Sequence, residues 1–308
     1  MDRSQMRVVF IGTPEFSVPS LDALKSAGYN IVGVITAPDR KSGRGMKLQQ
    51  SAVKQYAVEH DITVLQPTNL KDKDFQLELS NLKADIQVVI AFRMLPVVVW
   101  DMPRLGTINL HASLLPNYRG SAPINWAIIN GETKTGLTTF KLKHEIDTGN
   151  VLQQIELPIG PEETAGELHD KMMLEGAHLM LQTVDDIRTD KSEGVPQTPT
   201  EHHKPAPKIY KTTCEIDWDL SGAEIYNLVR GLSPYPTART TYDSKILKIY
   251  RCTFIPENHQ RFPGTHNTDG TSYLGFYCSD GLVQLRDVQL EGKRRMPVED
   301  LLRGLRNK

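Results

Sequence analysis

Asn109 and His111 stand two residues apart at the end of the apolar run Thr107–His111, and Asp147 follows thirty-six residues after the histidine. In an extended strand residues i and i+2 point to one face, so an amide and an imidazole emerge side by side where strand gives way to loop. These groups suit acyl transfer. The amide donates a hydrogen bond to a developing oxyanion without needing a charge, and a protonated imidazole donates a stronger one. A carboxylate close by would stabilise the imidazolium or accept a proton from an attacking amine. Each residue also has a plainer reading. A strand can end in polar residues, and Asp147-Thr148-Gly149 is good turn chemistry by itself.

Such side chains need a scaffold that ends its strands at a common edge. The first part of the chain has the pattern of one: strand at 7–12, helix at 16–27, strand at 30–35, helix at 51–60, strand at 63–66, helix at 72–82, strand at 86–91, helix at 96–102 and strand at 107–111. This alternation predicts an α/β domain built on a parallel sheet with helices on both faces. Ligands in such sheets bind beyond the carboxyl ends of the strands, where Asn109 and His111 lie. Gly12-Thr13-Pro14 follows the first strand but is not G-x-G-x-x-G, so a nicotinamide cofactor is not expected.

A helix over 168–187 closes this domain, which is assigned residues 1–189. The next stretch, 190–211, carries Pro196, Pro199, Pro205 and Pro207 and reads as a linker. Residues 212–308 form the second domain, with one helix at 223–231 and short strands at 238–242, 247–252, 273–278 and 282–290. Periodicity there shows an all-β tendency.

Composition sets outer bounds. Of 308 residues, 39% are hydrophobic and 24% charged, as in a soluble globular protein. No apolar run approaches the roughly 18 residues of a membrane span. Met1 to Arg7 is polar and leads straight into a strand, unlike a signal peptide. The three cysteines, Cys214, Cys252 and Cys278, fit neither a disulfide framework nor a zinc motif, so no metal is expected and a reducing cytoplasm is the expected location. His202-His203 lack further ligands at metal spacing and read as surface. The net charge of −1 hides an asymmetry: residues 1–203 carry 20 Lys+Arg and 25 Asp+Glu, residues 204–308 carry 16 and 12. A basic second half hints at a polyanionic partner. Lys293, Arg294 and Arg295 form a candidate phosphate patch within it.

Around the Asn-x-His pair the text runs Asn109-Leu-His111-Ala-Ser113-Leu114-Leu115-Pro116-Asn-Tyr118-Arg119-Gly120-Ser-Ala-Pro-Ile, and then Asp147-Thr-Gly. This resembles the folate-dependent formyltransferases over nearly the whole chain. The resemblance implies a Rossmann-like formyltransferase domain followed by a small OB-like β-barrel, with Asn109, His111 and Asp147 catalytic. It implies 10-formyltetrahydrofolate as formyl donor, with Ser113, Leu114, Leu115 and Pro116 against the folate. Phe92, Met94 and Leu95 fall in the family's pterin loop, though Phe92-Arg93-Met94-Leu95-Pro96 departs from the commoner Tyr-Gly-x-x-Leu-Pro. Ala112 stands where glycine is commoner. Arg119 reads equally as a ligand contact or a loop lock.

One segment selects within the family. Residues 38–54 hold five Lys+Arg and one Asp, in a loop that includes Arg40, Gly43-Arg44-Gly45 and Lys47. An arginine between glycines suits a loop that meets phosphates or bases. The segment resembles the loop that tRNA formyltransferases insert beside the acceptor end, so the implied acceptor is methionyl initiator tRNA and the implied form a monomer. Formylation of an amino-sugar nucleotide is the nearest alternative, since those enzymes share Asn-x-His-x-Ser-Leu-Leu-Pro but lack the basic loop. A non-catalytic RNA-binding protein and a formyl-folate hydrolase are the other readings.

Overall fold

In the computed structural model the described residues are 1–42, 47–145, 147–198 and 203–306. Strand β1 (Arg7–Gly12) is an inner strand of a seven-stranded sheet. Val8 to Ile11 are fully buried, as expected of a strand covered on both faces. Helix α1 (Val18–Ser26) opens with a proline in its first turn. It leads to β2 (Asn30–Ile35) and a short antiparallel pair, β3 (Arg40–Ser42) with β4 (Lys47–Gln49). Helix α2 (Ala52–Glu59) begins where the Ser51 hydroxyl accepts from Lys54 N, and β5 (Val64–Leu65) follows. Helix α3 (Lys73–Asn81) begins in the same way at Asp72, whose carboxylate accepts from Phe75 N. Then come β6 (Ile86–Ile90), α4 (Val97–Trp100), β7 (Thr107–His111) and the two-residue β8 (Arg119–Gly120).

Strands β7, β6, β1, β2 and β5 lie in that order and pair in parallel. The chain winds outward from β1 in one direction, then returns to wind in the other, so β1 and β6 flank a topological switch point. Beyond helix α5 (Pro123–Ile129), strands β9 (Lys134–Lys141) and β10 (Val151–Pro158) extend the sheet past β7. Strand β9 runs antiparallel to β7, with His111 opposite Thr138. The sheet is therefore mixed, and the sequence pattern did not reveal this edge. Thr135, Thr138 and Thr139 of β9 are buried, and their hydroxyls hide the apolar signature of an inner strand. Thr139 Oγ1 lies 2.8 Å from Thr183 Oγ1 on helix α6 (Ala165–Arg188), and Thr138 Oγ1 donates to Ser113 O, whereas Thr135 Oγ1 has no hydrogen-bond partner among the described residues.

The short β11 (Pro205–Ala206) precedes helix α7 (Gly222–Gly231), which starts in a capping box between Ser221 and Glu224. An antiparallel sheet follows, from β12 (Ala238–Tyr242), β13 (Lys245–Pro256), β14 (His266–Thr268), β15 (Leu274–Cys278), β16 (Gly281–Leu290) and β17 (Met296–Pro297). Asp243 and Ser244 both have positive φ in the tight β12–β13 turn, as the right-handed twist of a hairpin requires. Helix α8 (Val298–Arg306) ends the described chain. The core here gathers Ile225, Val229, Leu247, Ile249, Phe276, Leu285 and Leu301.

Two compact units result, and they interleave in sequence. One is Met1–Arg119, Gly136–Leu157 and Asp170–Lys204; the other is Gly120–Thr135, Pro158–His169 and Pro205–Lys308. No helix among the described residues is long and apolar enough to cross a membrane.

Candidate active site

Strand β7 ends at His111, which is only 7% exposed. Its Nε2 lies 2.8 Å from the carbonyl oxygen of Tyr118. A carbonyl can only accept, so Nε2 carries the proton and the ring is fixed with Nδ1 on its other edge. Nδ1 faces Asp147 Oδ2 at 4.0 Å. That is about 1 Å beyond a hydrogen bond, a spacing that a proton on Nδ1 together with a small closure would convert into one. Asn109, two residues before His111 on β7, has a buried Oδ1 with no hydrogen-bond partner among the described residues. An unpaired buried acceptor is uncommon in folded proteins and calls for an explanation such as an absent ligand.

The Asp147 backbone is in the left-handed region at φ 53°. Gln197 holds this strained turn: its Nε2 donates to the carbonyl oxygens of Asp147 and Gly149, each at 2.8 Å. Its Oε1 accepts from Arg119 Nε at 3.2 Å. The amide orientation follows from these partners, since the flipped form would set an oxygen against two carbonyls. Arg119 thus ties its loop to the turn that carries Asp147, through an amide and not a carboxylate. Gly149 fits where it does because a Cβ there would come within 1.6 Å of the Lys141 carbonyl oxygen. Lys141 N donates to Asn150 O at 3.0 Å and closes the hairpin loop that carries Asp147. Val151 and Val195 exchange backbone hydrogen bonds of 2.8 and 2.7 Å, and this bridge brings Gln197 alongside. Sequence reasoning missed Gln197 because it lies in a Pro- and Thr-rich stretch that reads as linker.

The expected folate segment is mostly turned inward. Ser113 is fully buried, and its hydroxyl donates to Asn117 O at 2.6 Å. Leu115 is 5% exposed. Thr138 Oγ1 donates to Ser113 O and accepts from Leu115 N at 3.2 Å, while Gln154 Nε2 donates to Leu115 O. Leu114 and Pro116 are half-buried and remain the side chains open to contact. In the loop after β6, Leu95 belongs to the hydrophobic core and Phe92 packs against it, whereas Met94 is 71% exposed. That loop follows the carboxyl end of β6 at the switch point. Across it Gly12 leaves no room for a side chain: a Cβ would come within 2.8 Å of Ser17 Cβ and 3.0 Å of Ile90 O.

Of the expected nucleic-acid contacts, Arg40 is exposed on β3. Arg44 lies outside the described residues, as does the Lys47 side chain, although Lys47 opens β4. Arg294 is exposed and Lys293 half-buried. Arg295 differs from the expectation of a free phosphate contact: its Nε donates to Asp287 at 2.7 Å and its guanidinium covers the Tyr250 ring at 4.2 Å. Among the described residues no three His, Cys, Asp or Glu side chains cluster as metal ligands.

An amide, an oriented imidazole and a carboxylate on a held turn can stabilise an oxyanion and manage one proton. The chain matches the formyl transferase family over residues 6–184 and the formyl transferase C-terminal domain over residues 208–306. It is similar to the methionyl-tRNA formyltransferase of Parabacteroides distasonis, 52% identical over 318 residues that cover 99% of this chain and 98% of that protein. The methionyl-tRNA formyltransferase of Bacteroides fragilis is 49% identical over 312 residues, 99% of this chain and 96% of that one. Among solved structures, the N-formyltransferase of Helicobacter canadensis in complex with folinic acid and dTDP-3-aminofucose shares the fold. Its TM-score is 0.69 at 20% identity, over 94% of this chain and all of that one. The methionyl-tRNA formyltransferase of Clostridium thermocellum gives a TM-score of 0.55 at 17% identity, over 80% and 93%.

Proposed function

The chain belongs to the formyl transferase family, and from that premise we propose that Asn109, His111 and Asp147 carry formyl transfer from 10-formyltetrahydrofolate to the α-amine of methionyl initiator tRNA. The observation that carries the reading is His111: Tyr118 O occupies Nε2, and Nδ1 is left facing Asp147 at 4.0 Å beside the Asn109 amide.

The neutral α-amine attacks the formyl carbon. A C–N bond forms and the carbonyl oxygen becomes an oxyanion. The Asn109 amide N–H and, when protonated, His111 Nδ1–H donate to that oxygen. Asp147 accepts the proton leaving the amine, directly or through one water. The tetrahedral carbon then collapses, the bond to the folate nitrogen breaks, and that nitrogen takes up the proton that Asp147 received, directly or through the same water. Each oxyanion donor of this kind supplies roughly 2.7–4 kcal/mol of transition-state stabilisation.

Met94, Leu114, Pro116 and the backbone of 92–95 are the groups that would face the folate, with Phe92, Leu95, Ser113 and Leu115 supporting them from within. Arg40, Arg44, Lys47, Lys293 and Arg294 would meet tRNA phosphates. The ion pair of Arg295 with Asp287 lessens its share. The reading carries a monomer working in the cytoplasm, which size-exclusion chromatography and cell fractionation test.

The deciding assay incubates the protein with a donor labelled in the formyl group and one of three acceptors: methionine-charged initiator tRNA, an amino-sugar nucleotide, or water. Label should pass to the tRNA. Label on the amino sugar, or free formate alone, would replace this reading.

A further inference from the structure

The loop between β6 and α4 begins on strained backbone. Ala91 has φ 50°, a left-handed conformation that a residue with a Cβ adopts rarely and keeps only where its surroundings hold it. From within, Leu95 and Val99 hold the loop, turned into the core with Val9, Ile11 and Val89. On the solvent side Arg93 does so. Its Nη1 donates to Thr68 O at 3.0 Å and its Nη2 to Pro67 O at 2.5 Å, while its guanidinium lies 5.7 Å from the centre of the Phe92 ring. No carboxylate pairs with it among the described residues.

Pro67 and Thr68 follow β5, and β5 is not a neighbour of β6. Strands β1 and β2 stand between them, so the two loops leave strands about 14 Å apart, at about 4.8 Å per step. The contact therefore spans the carboxyl ends of β1 and β2, beside the switch point. The β5 end of this span is itself anchored. Gln66 Nε2 donates to Ala37 O and to Asp39 Oδ1, each at 2.8 Å, and Asp39 Oδ2 accepts from Lys54 Nζ on α2 at 2.6 Å. Leu70, two residues beyond Thr68, is buried in the same core as Leu95. Carbonyls so placed can hold a loop that is bonded to them. What the held loop presents outward is apolar: Met94, Val97 and Val98 are all exposed.

We propose that Arg93 is a positioning residue for the formyl donor: by bridging the β6 and β5 loops it pre-forms the surface, Met94 and the 92–95 backbone, that meets the folate ring system. This rests on the folate reading above. Arg93 needs no contact with the folate. It removes, before binding, loop freedom that the folate would otherwise have to remove on arrival. Its loss should weaken donor binding and leave the chemical step alone. Arginine suits the place because its planar fork reaches two carbonyls at once, whereas a lysine ammonium is a point charge on a flexible stem.

The test compares Arg93→Ala and Arg93→Lys with the parent, using 10-formyltetrahydrofolate as donor and methionine-charged initiator tRNA as acceptor. Arg93→Ala should raise KM for the donor about tenfold, the result of a tenfold fall in the fraction of loops competent to bind. Arg93→Lys, which reaches one carbonyl, should raise it about threefold. In both, kcat at saturating donor and KM for tRNA should stay within about twofold of the parent. A second donor, truncated to its benzamide, carries no glutamate carboxylates. Arg93→Ala should impose the same penalty on it, because the bridge serves the ring system. If the penalty vanishes with the truncated donor, Arg93 pairs with the donor's carboxylates and the assignment is overturned. An unchanged donor KM in Arg93→Ala also overturns it, while the formyl-transfer reading stands. A fall in kcat with a rise in both KM values would make Arg93 a general support of the fold and would overturn it as well. A parent that passes no label from the donor to any acceptor would defeat the folate reading, and this proposal with it.

Discussion

Replacing Gln197 with leucine should slow catalysis although Gln197 itself is given no contact with substrate. The change removes two donors, to Asp147 O and Gly149 O at 2.8 Å each, and the acceptor of Arg119. A neutral hydrogen bond contributes about 0.5–1.5 kcal/mol net, and one to a charged group about 1.5–3. Their sum is an upper bound, because Gln197 is half-buried and the freed carbonyls regain water. Roughly 2 kcal/mol of local stability should therefore be lost from the turn that holds Asp147 at φ 53°. The carboxylate already stands 4.0 Å from His111 Nδ1. A further displacement of about 1 Å can lower turnover about 10²-fold, so kcat should fall by about 10- to 100-fold. Steady-state formylation measures this, with a thermal melt to show that the global fold persists. Gln197→Glu separates the two ends of the clamp. It keeps a partner for Arg119 but offers no donor to the two carbonyls, so it should fall with the leucine variant. A folded Gln197→Leu enzyme with kcat within twofold of the parent would refute the clamp.

Asn109→Ala should lower kcat by about 10²–10³-fold. Its melting temperature should be unchanged or higher, because the buried Oδ1 has no partner among the described residues; a clear drop in melting temperature would assign Asn109 to structure. Thr138→Val removes the hydroxyl that bonds Ser113 O and Leu115 N, so KM for the folate should rise and stability fall by about 1–3 kcal/mol, read by chemical denaturation. Asp185 gives a pH test. Burial alone would raise its pKa, but hydrogen bonds from Arg3, Tyr29 and Arg188 outweigh it and hold the carboxyl below the usual range. A depressed folded pKa contributes stability that is present above the unfolded value of about 3.9 and lost as pH falls through the folded one. Asp185→Asn should thus melt lower than the parent at pH 7, and the gap should close below about pH 4. A gap independent of pH would show that the charge is not what matters.

The strands that form the parallel core were legible because each is a short β-branched run, and Ser51 and Asp72 stand where the helices begin. Strand β9 was not, because half of its buried positions are threonines, whose hydroxyls mask the apolar run. At the site the residue types were legible and their commitments were not. That Tyr118 O fixes the His111 ring is a backbone contact, invisible to side-chain pattern. That Gln197 holds Asp147 joins positions fifty residues apart through a stretch whose composition says only linker. Ser113 and Leu115 show the opposite gap: a motif marks where a segment lies, while burial decides whether its side chains or its backbone face a ligand.

The Val151–Val195 bridge limits how this protein can be recombined with its relatives. A junction placed after residue 189, where the long helix ends, leaves the seven-stranded sheet whole but exchanges the segment that delivers Gln197. A chimera cut there would inherit its parent's Asn109, His111 and Asp147 and a stranger's clamp. A junction after Lys204 keeps the clamp with the turn it serves. Even so, the second unit does not travel as one piece, because Gly120–Thr135 and Pro158–His169 belong to it and stay behind. Exchange of tails between family members should therefore demand compatible residues in those two inserts, so the halves are bound to change together.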